Sequence, residues 1–292
     1  MNKHLKIAAA LLVALPTLTF AQVRTEQTFE KGWKFTREDS KDFSQQTYDD
    51  TKWQSVTVPH DWAIYGPFSI ENDKQKVAIT QDGQKEALEH AGRTGGLPFV
   101  GVGWYRLNFE APAFSSGKKA TLIFDGAMSH ARVYINGQEA GFWPYGYNSF
   151  HIDATPYLKA GEQNTLAVRL ENETESSRWY PGAGLYRNVH LVINEDVHIP
   201  TWGTQLTTPV VKKDFARVNL KTRLDIPSGK AFTDYRIVTE LKAPDGKVVA
   251  SDEQQGTKYD EKIFNQHFVV DNPALWTPDS PALNSAVSKV NE

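Results

Sequence analysis

The sequence contains no cysteine, and this absence removes several classes of protein. A chain without thiols has no disulfide framework, no thiolate metal or iron–sulfur site and no cysteine-linked lipid anchor. Its eight histidines are scattered along the chain, without a pair at H-x-x-x-H spacing. We therefore expect no metal site and no cofactor, and a fold that depends on its apolar core.

The sequence also lacks an excess of basic residues. Its 32 Lys and Arg against 35 Asp and Glu give a formal net charge of −3, so nucleic acid is not an expected partner. A long apolar run is present only near the start, where "IAAALLVALPTLTF" follows Lys3 and Lys6 and precedes Ala21. These features are typical of a secretory signal peptide over residues 1–21.

The competing interpretation of this apolar run is an N-terminal membrane anchor. The small residue at Ala21 and the absence of a second apolar segment favour cleavage. Removal of the two lysines would leave 30 basic against 35 acidic residues, a net charge of −5. The prediction is a periplasmic or secreted protein without a membrane partner once the signal is removed.

Helical periodicity is scarce, and a period of two dominates. "WYRLNFE" places Tyr105, Leu107 and Phe109 on one face, and "NVHLVI" repeats the alternation. Such segments are typical of half-buried antiparallel strands. The dipeptides Asn136-Gly137 and Asp245-Gly246 predict type I′ hairpin turns. Only residues 82–91 have a helical character, and there a loop or single turn is expected.

Strands with short turns and almost no helix predict an all-β protein. Residues 22–200 have the size of a jelly-roll β-sandwich, and residues 201–292 resemble an immunoglobulin-like β-sandwich. The second unit offers five or six strands, near 203–208, 216–225, 233–242, 247–254, 262–270 and 283–290. Because such a domain has about seven strands, we expect it to be truncated, with one edge unpaired.

The sequence has no signature of a self-sufficient catalytic centre. It contains no G-x-S-x-G, no P-loop and no dinucleotide-binding glycine motif between strand and helix. Glycoside cleavage needs two carboxyl groups held about 5 to 9.5 Å apart, and no spacing here indicates such a pair. No catalytic residue is predicted in this chain.

The segment "VPHDWAIYGP" places His60, Asp61 and Trp62 on a loop after a strand. Pro59 ends the pairing because it has no amide hydrogen. A carboxylate beside an imidazole and an indole suits a sugar, since the acid accepts hydroxyl groups and the ring covers a C–H face. The alternative is a structural corner in which Asp61 caps amides and Trp62 fills the core.

The segment "SSRWYPGAGLYRNV" places large aromatic residues beside a Pro-Gly turn. Trp179 and Tyr180 cannot both be buried on one side of an extended segment, so one should face outward or into a cleft. Arg178 could donate a fork of hydrogen bonds to hydroxyls. In the alternative, Arg178 or Arg187 pairs with an acid such as Asp61. A third aromatic loop, residues 141–153, is interpreted as structural.

Taken together, five segments in this order resemble the N-terminal part of glycoside hydrolase family 2. They are "VPHDW", "GVGWYRLNF", "FDGAMSHARVYINGQEAGFWPYGYNSFHIDATPYL", "NTLAVRLEN" and "SSRWYPGAGLYRNVHL". The resemblance covers roughly residues 29–290 and is greatest to the β-galactosidase branch. It implies a sugar-binding jelly roll and an immunoglobulin-like domain that precede a catalytic (β/α)8 barrel.

The resemblance also implies what this chain would do. Neither catalytic glutamate of the family has a counterpart here, so the chain is expected to be inactive alone and to act with the missing barrel. The expected ligand is a galactoside or related glycan. The predicted substrate-binding set is Asp61 and Arg178 in contact with sugar, with His60, Trp62, Trp179 and Tyr180 beside them. The alternatives are a stand-alone carbohydrate-binding module and a small independent hydrolase.

Overall fold

The computed structural model describes residues 24–91, 99–174, 176–177 and 179–292. The predicted signal peptide and Arg178 lie outside the described residues. The strands are β1 Arg24–Thr28, β2 Trp33–Thr36, β3 Gln54–Val56, β4 Lys74–Val77, β5 Leu88–Ala91, β6 Gly101–Glu110, β7 Lys119–Phe124, β8 Ala131–Ile135, β9 Gln138–Trp143, β10 Phe150–Asp153, β11 Gln163–Asn172, β12 Val189–Asn194, β13 Thr204–Val211, β14 Phe215–Arg223, β15 Arg236–Lys242, β16 Val248–Gln255, β17 Ile263–Asp271 and β18 Ser285–Asn291. Short 3₁₀ helices cover Lys41–Ser44, Trp62–Tyr65, Thr80–Asp82 and Phe232–Asp234.

Ten of the first twelve strands form two main sheets around one core, and β4 and β5 form a separate two-stranded sheet. One sheet has the order β1-β12-β7-β10, and the other has the order β3-β2-β6-β11-β8-β9. The core between them takes alternate residues of each strand, such as Leu166, Val168 and Leu170 of β11. The all-β prediction is confirmed, and the period of two that produced it is the alternation of side chains across a pleated strand.

The centre of β6 is buried on both faces, where half-burial was expected. Tyr105 and Leu107 belong to the main core, while Trp104 packs with Phe43 and Trp53 in a smaller cluster on the opposite face. Between these positions Arg106 is fully buried, and its Nε donates to Asp50 Oδ2 at 2.8 Å. Alternation assigned the two faces correctly but could not show that residues 41–53 cover the second one.

The two Asx-Gly turns differ, although the sequence predicts the same type for both. Asn136 and Gly137 both have positive φ, 52° and 85°, as a type I′ turn requires. At the second turn only Gly246 has positive φ, and its amide donates to the Ala243 carbonyl. Pro244 therefore occupies the second position of a type I turn followed by a left-handed glycine, which corrects the type I′ prediction.

Residues 83–91 contain no helix. Thr80–Asp82 forms a single 3₁₀ turn, and Leu88–Ala91 is a strand that pairs antiparallel with Lys74–Val77. Residues 83–87 form a loop, as one of the two expectations had it, but the strand that follows was missed. The four residues from Leu88 to Ala91 are too few to establish a period.

The last six strands form two three-stranded sheets, ordered β13-β14-β17 and β16-β15-β18. Their apolar residues make two small clusters, one around Ile237 and Phe264 and one around Leu220 and Phe268. Each of the six strands coincides closely with a strand proposed from the sequence. No helix in the described part of the chain is long and apolar enough to cross a membrane.

Candidate functional site

Two loop segments, residues 60–62 and 183–185, pair with each other through their backbones. The His60 amide donates to the Leu185 carbonyl at 2.8 Å, and the Trp62 amide donates to the Ala183 carbonyl at 3.2 Å. The two segments are more than 120 residues apart in sequence. This backbone pairing joins the two motifs that the sequence marked separately.

Asp61, the middle residue of the first segment, accepts hydrogen bonds from both loops. Its Oδ1 accepts the Ala63 amide at 3.0 Å, which caps the 3₁₀ helix Trp62–Tyr65, and also the Ala183 amide at 3.0 Å. Its Oδ2 accepts the Tyr180 hydroxyl at 2.7 Å. A carboxylate offers about four acceptor positions, so these three donors leave room for one more hydroxyl donor. The residue is only partly buried.

Glycine at position 184 is a geometric requirement of this pairing. Gly184 has a φ of +106°, and a Cβ there would clash with the Tyr105 hydroxyl oxygen and the His60 carbonyl oxygen. An L side chain would therefore be strained and would also separate the segments. The glycines of "PGAG" thus hold the backbone close to the Asp61 turn.

His60 contacts the core on one side, and its ring also stacks on the exposed ring of Tyr65, at 6.0 Å between ring centroids. Its Nδ1 lies 2.7 Å from the Tyr105 hydroxyl oxygen, and its ring packs edge-on against Phe35. Burial lowers the pKa of His60 from its ordinary value, and Arg37 adds to this effect while Asp61 opposes it. Burial also raises the pKa of Tyr105 well above its ordinary value. This pair positions the Asp61 turn.

Trp62 is fully buried, which corrects its prediction as a sugar contact. Its indole packs against Phe35 at 5.5 Å between ring centroids and against Tyr105. Its N–H has no hydrogen-bond partner among the described residues. A side chain without accessible surface cannot cover a sugar, so the alternative of a core residue is the one that the structure supports.

Trp179 and Tyr180 occupy opposite environments, as alternation predicts. Trp179 is 57% exposed, whereas Tyr180 packs against the core and donates its hydroxyl to Asp61. Burial and the adjacent carboxylate both raise the pKa of Tyr180 far above its ordinary value, so the phenol keeps its proton as a donor. Tyr180 is therefore a positioning residue for Asp61.

The arginine predictions have different outcomes. Arg178 lies outside the described residues, and its contact with substrate stays a prediction. Arg187 does not hold Asp61; its Nη1 donates to the Asp125 carbonyl at 3.4 Å and its guanidinium lies over the Tyr186 ring. Asp61 itself joins the two loops, because it accepts hydrogen bonds from the Tyr180 hydroxyl and the Ala183 amide.

The third aromatic loop contributes more than structure. Trp143 and Phe150 pack on the core, as the structural interpretation expects, but Tyr145 and Tyr147 are exposed. The Trp179 indole N–H donates to the Tyr147 hydroxyl at 2.7 Å, so this loop meets the Trp179 loop. Sequence reasoning missed Tyr147 as a partner, although its aromatic neighbours in "WPYGY" were a visible signal.

The arrangement can bind a hydroxylated ligand. It combines an anchored carboxylate with exposed aromatic rings on the loops that meet here, and these groups suit sugar hydroxyls and C–H faces. No group of three or more His, Asp or Glu side chains that could hold a metal ion occurs within the described ranges.

Comparisons with known families give this geometry its context. The family model for the sugar-binding domain of glycosyl hydrolases family 2 matches residues 28–194. A second family 2 model matches residues 197–292. Together they account for both units of the fold.

Individual relatives agree with these models. A beta-galactosidase of Bacteroides ovatus is 36% identical over 96% of this chain, and a putative beta-glucuronidase of Formosa agariphila is 32% identical over 97%. A crystal structure of a family 2 member from Bacteroides cellulosilyticus superimposes with a TM-score of 0.78 over 91% of this chain, at 32% identity. The chain spans only 31%, 25% and 33% of these three proteins. The chain belongs to glycoside hydrolase family 2.

Proposed function

We propose that this chain is the non-catalytic part of a secreted or periplasmic, retaining, exo-acting family 2 hydrolase that removes terminal β-galactosides. In this proposal Asp61 accepts a hydroxyl of the terminal galactosyl unit, and a (β/α)8 barrel that the chain does not include supplies the catalytic carboxyls. The observation that carries the proposal is the anchored Asp61 carboxylate, held by three donors with one acceptor position open.

The charge of this carboxylate favours a neutral sugar over a uronic acid. The matched relatives include both beta-galactosidases and beta-glucuronidases. A glucuronide has its own carboxylate, which would be repelled by Asp61 in a partly buried site of reduced dielectric. A galactoside offers only hydroxyls, which donate to Asp61 without this repulsion.

The proposal is tested with the purified chain and with a chimera. The chain alone should not hydrolyse 4-nitrophenyl β-galactoside. Joined to the portion of the Bacteroides ovatus relative that it does not match, it should hydrolyse this substrate in preference to the β-glucuronide. In the chimera, Asp61→Asn should lower kcat/KM by about 10- to 100-fold, the loss expected for a hydrogen bond to a charged group.

Asp49→Asn is the matched control, because Asp49 is an exposed aspartate that accepts the amide two residues ahead, as Asp61 does. It should leave kcat/KM unchanged. Turnover by the chain alone that disappears on changing one of its carboxylates would contradict the non-catalytic role. Micromolar galactoside binding by the chain alone in calorimetry, about −8 kcal/mol, would instead favour a stand-alone carbohydrate-binding module.

A further inference from the structure

The outward face of the sheet β13-β14-β17 carries a row of cations. Alternate residues of β14 from Ala216 to Thr222 are buried, so the residues between them face outward. Three of the outward positions hold Arg217, Lys221 and Arg223, all of them exposed. At the usual rise of a strand, the row is about 20 Å long.

These three residues, called here the cation row, have no ion-pair partner within the described part of the chain. On the neighbouring strands Lys221 lies opposite Gln205 and Asn265, which are neutral. The three strands contain one carboxylate, Asp271 at the end of β17, and it forms no ion pair with a described residue. Like charges held side by side repel, so a bound anion would relieve a repulsion that the protein itself leaves uncompensated.

The other sheet of the same unit treats the cations of its central strand differently. On β15, Arg236 Nη1 lies 2.7 Å from Glu253 Oε1, and Lys242 Nζ lies 3.1 Å from Glu240 Oε2. Exposed cations on the central strand of that sheet thus have acidic neighbours within ion-pair distance. The absence of such neighbours distinguishes the β14 face.

A small recess of about 210 Å³ opens beside Lys221 on this face. Its polar lining comes from all three strands and consists of Gln205, Thr207, Asn219, Lys221, Asn265 and His267. The His267 Nδ1 and Asn219 Oδ1 atoms are 2.8 Å apart, so the imidazole is held in place. The amide, hydroxyl and imidazole groups offer both donors and acceptors next to the cation. The recess is smaller than a typical small-molecule pocket, so it fits one group of a larger ligand.

We propose that the cation row and this recess bind an anionic polysaccharide, whose sulfate or carboxylate groups contact the cations and whose hydroxyl groups contact the recess. A polymer is favoured because contacts repeated along the row add up, whereas one exposed charge contact is weak. The cation row lies in the second unit and Asp61 in the first, so this role does not depend on the proposed role of Asp61.

The chemistry of the face favours a polysaccharide over other polyanions. The amide oxygens of Gln205, Asn219 and Asn265 need donors, which sugar hydroxyls supply and which phosphate or carboxylate groups lack. A nucleic acid would be repelled by the net charge of −3, and strands β13, β14 and β17 have no exposed Phe, Tyr or Trp on which bases could stack.

The test is a titration of fluorescently labelled polymers with the full chain, followed by anisotropy. Dextran sulfate carries sulfate esters and polygalacturonate carries carboxylates, while neutral dextran and poly-glutamate are the comparison polymers. The chain should bind at least one of the two anionic polysaccharides, and more weakly as salt is added, because salt screens exposed charges. It should not bind dextran. The polysaccharide that binds more tightly identifies the anionic group that the face prefers.

The cation row is tested by the triple variant Arg217→Gln, Lys221→Gln, Arg223→Gln. It should weaken binding at least about tenfold and flatten the salt dependence, since three charge contacts are lost. The control is a triple variant at exposed lysines outside the row, Lys31→Gln, Lys52→Gln, Lys247→Gln. It changes the net charge by the same amount and should alter the affinity less than about twofold.

Three results would overturn the proposal. The first is an absence of binding to both anionic polysaccharides at low salt. The second is an equal loss in the two triple variants, which would mean a general effect of net charge. The third is equal affinity for poly-glutamate, which would indicate an acidic protein partner instead. Neither anionic polysaccharide contains a β-galactoside, so these results leave the proposed function to its own test.

Discussion

Trp62 and Trp179 stand in the two loops that meet at the candidate site, yet their environments are opposite. Trp62 is fully buried and packs against Phe35 and Tyr105, whereas Trp179 is exposed and donates its indole N–H to Tyr147. Each loop therefore has one residue that anchors it by packing into the core and one whose side chain is presented toward the surface. In the first loop Trp62 anchors and Asp61 is presented; in the second Tyr180 anchors and Trp179 is presented.

The largest expected effect comes from removing the two indoles in turn. Trp62→Ala should lower the free energy of unfolding by about 3–5 kcal/mol, because it leaves a large cavity in the main core. Trp179→Ala should change it by no more than about 0.5 kcal/mol, as for an exposed side chain. Urea unfolding followed by far-ultraviolet circular dichroism measures both. Equal losses would mean that Trp179 is also an anchor.

The second prediction concerns the carboxylate that joins the loops. Asp61→Ala should cost about 2–3 kcal/mol of unfolding free energy, because the Ala63 and Ala183 amides and the Tyr180 hydroxyl lose their acceptor. Asp49→Ala removes a similar local turn bond that joins no second loop and should cost about 0.5 kcal/mol. A loss no larger than that of Asp49→Ala would show that the loops pair without Asp61.

A smaller effect is expected from the anchor of the second loop. Tyr180→Phe should cost about 1 kcal/mol, since only the hydroxyl is lost and the exposed part of the Asp61 carboxylate regains water. Tyr259→Phe, at a highly exposed tyrosine, is the control and should be neutral within about 0.5 kcal/mol. A neutral Tyr180→Phe would mean that the hydroxyl contributes nothing to loop position.

The smallest predicted effect is on the pH dependence of stability. The pKa of Tyr180 is raised in the folded chain above its ordinary value of 10.0 by burial and by Asp61. Its contribution is therefore complete below about pH 10 and is lost as the pH rises through the folded value, because the unfolded phenol releases its proton first. Between pH 9 and 11 the unfolding midpoint of the parent chain should fall more steeply than that of Tyr180→Phe. Parallel curves would contradict the raised pKa.

Much of the fold could be read from the sequence because strand alternation is a local property. The faces of β6 and β11 and all six strands of the second unit follow from it. The four-residue strand β5 could not be read, since it is too short to show a period. The second turn type was misread because Pro244, and not the Asp-Gly pair alone, determines its geometry.

The sequence by itself determined the all-β class, the family and the two loops that would form the site, because turn residues and alternating strands are encoded locally. Only the tertiary structure decided which members of those loops face a ligand. Burial of Trp62 depends on Phe35 and Tyr105, and the acceptor geometry of Asp61 depends on Tyr180 and Ala183, which lie about 120 residues away. Such contacts exist only after the chain has brought distant segments together.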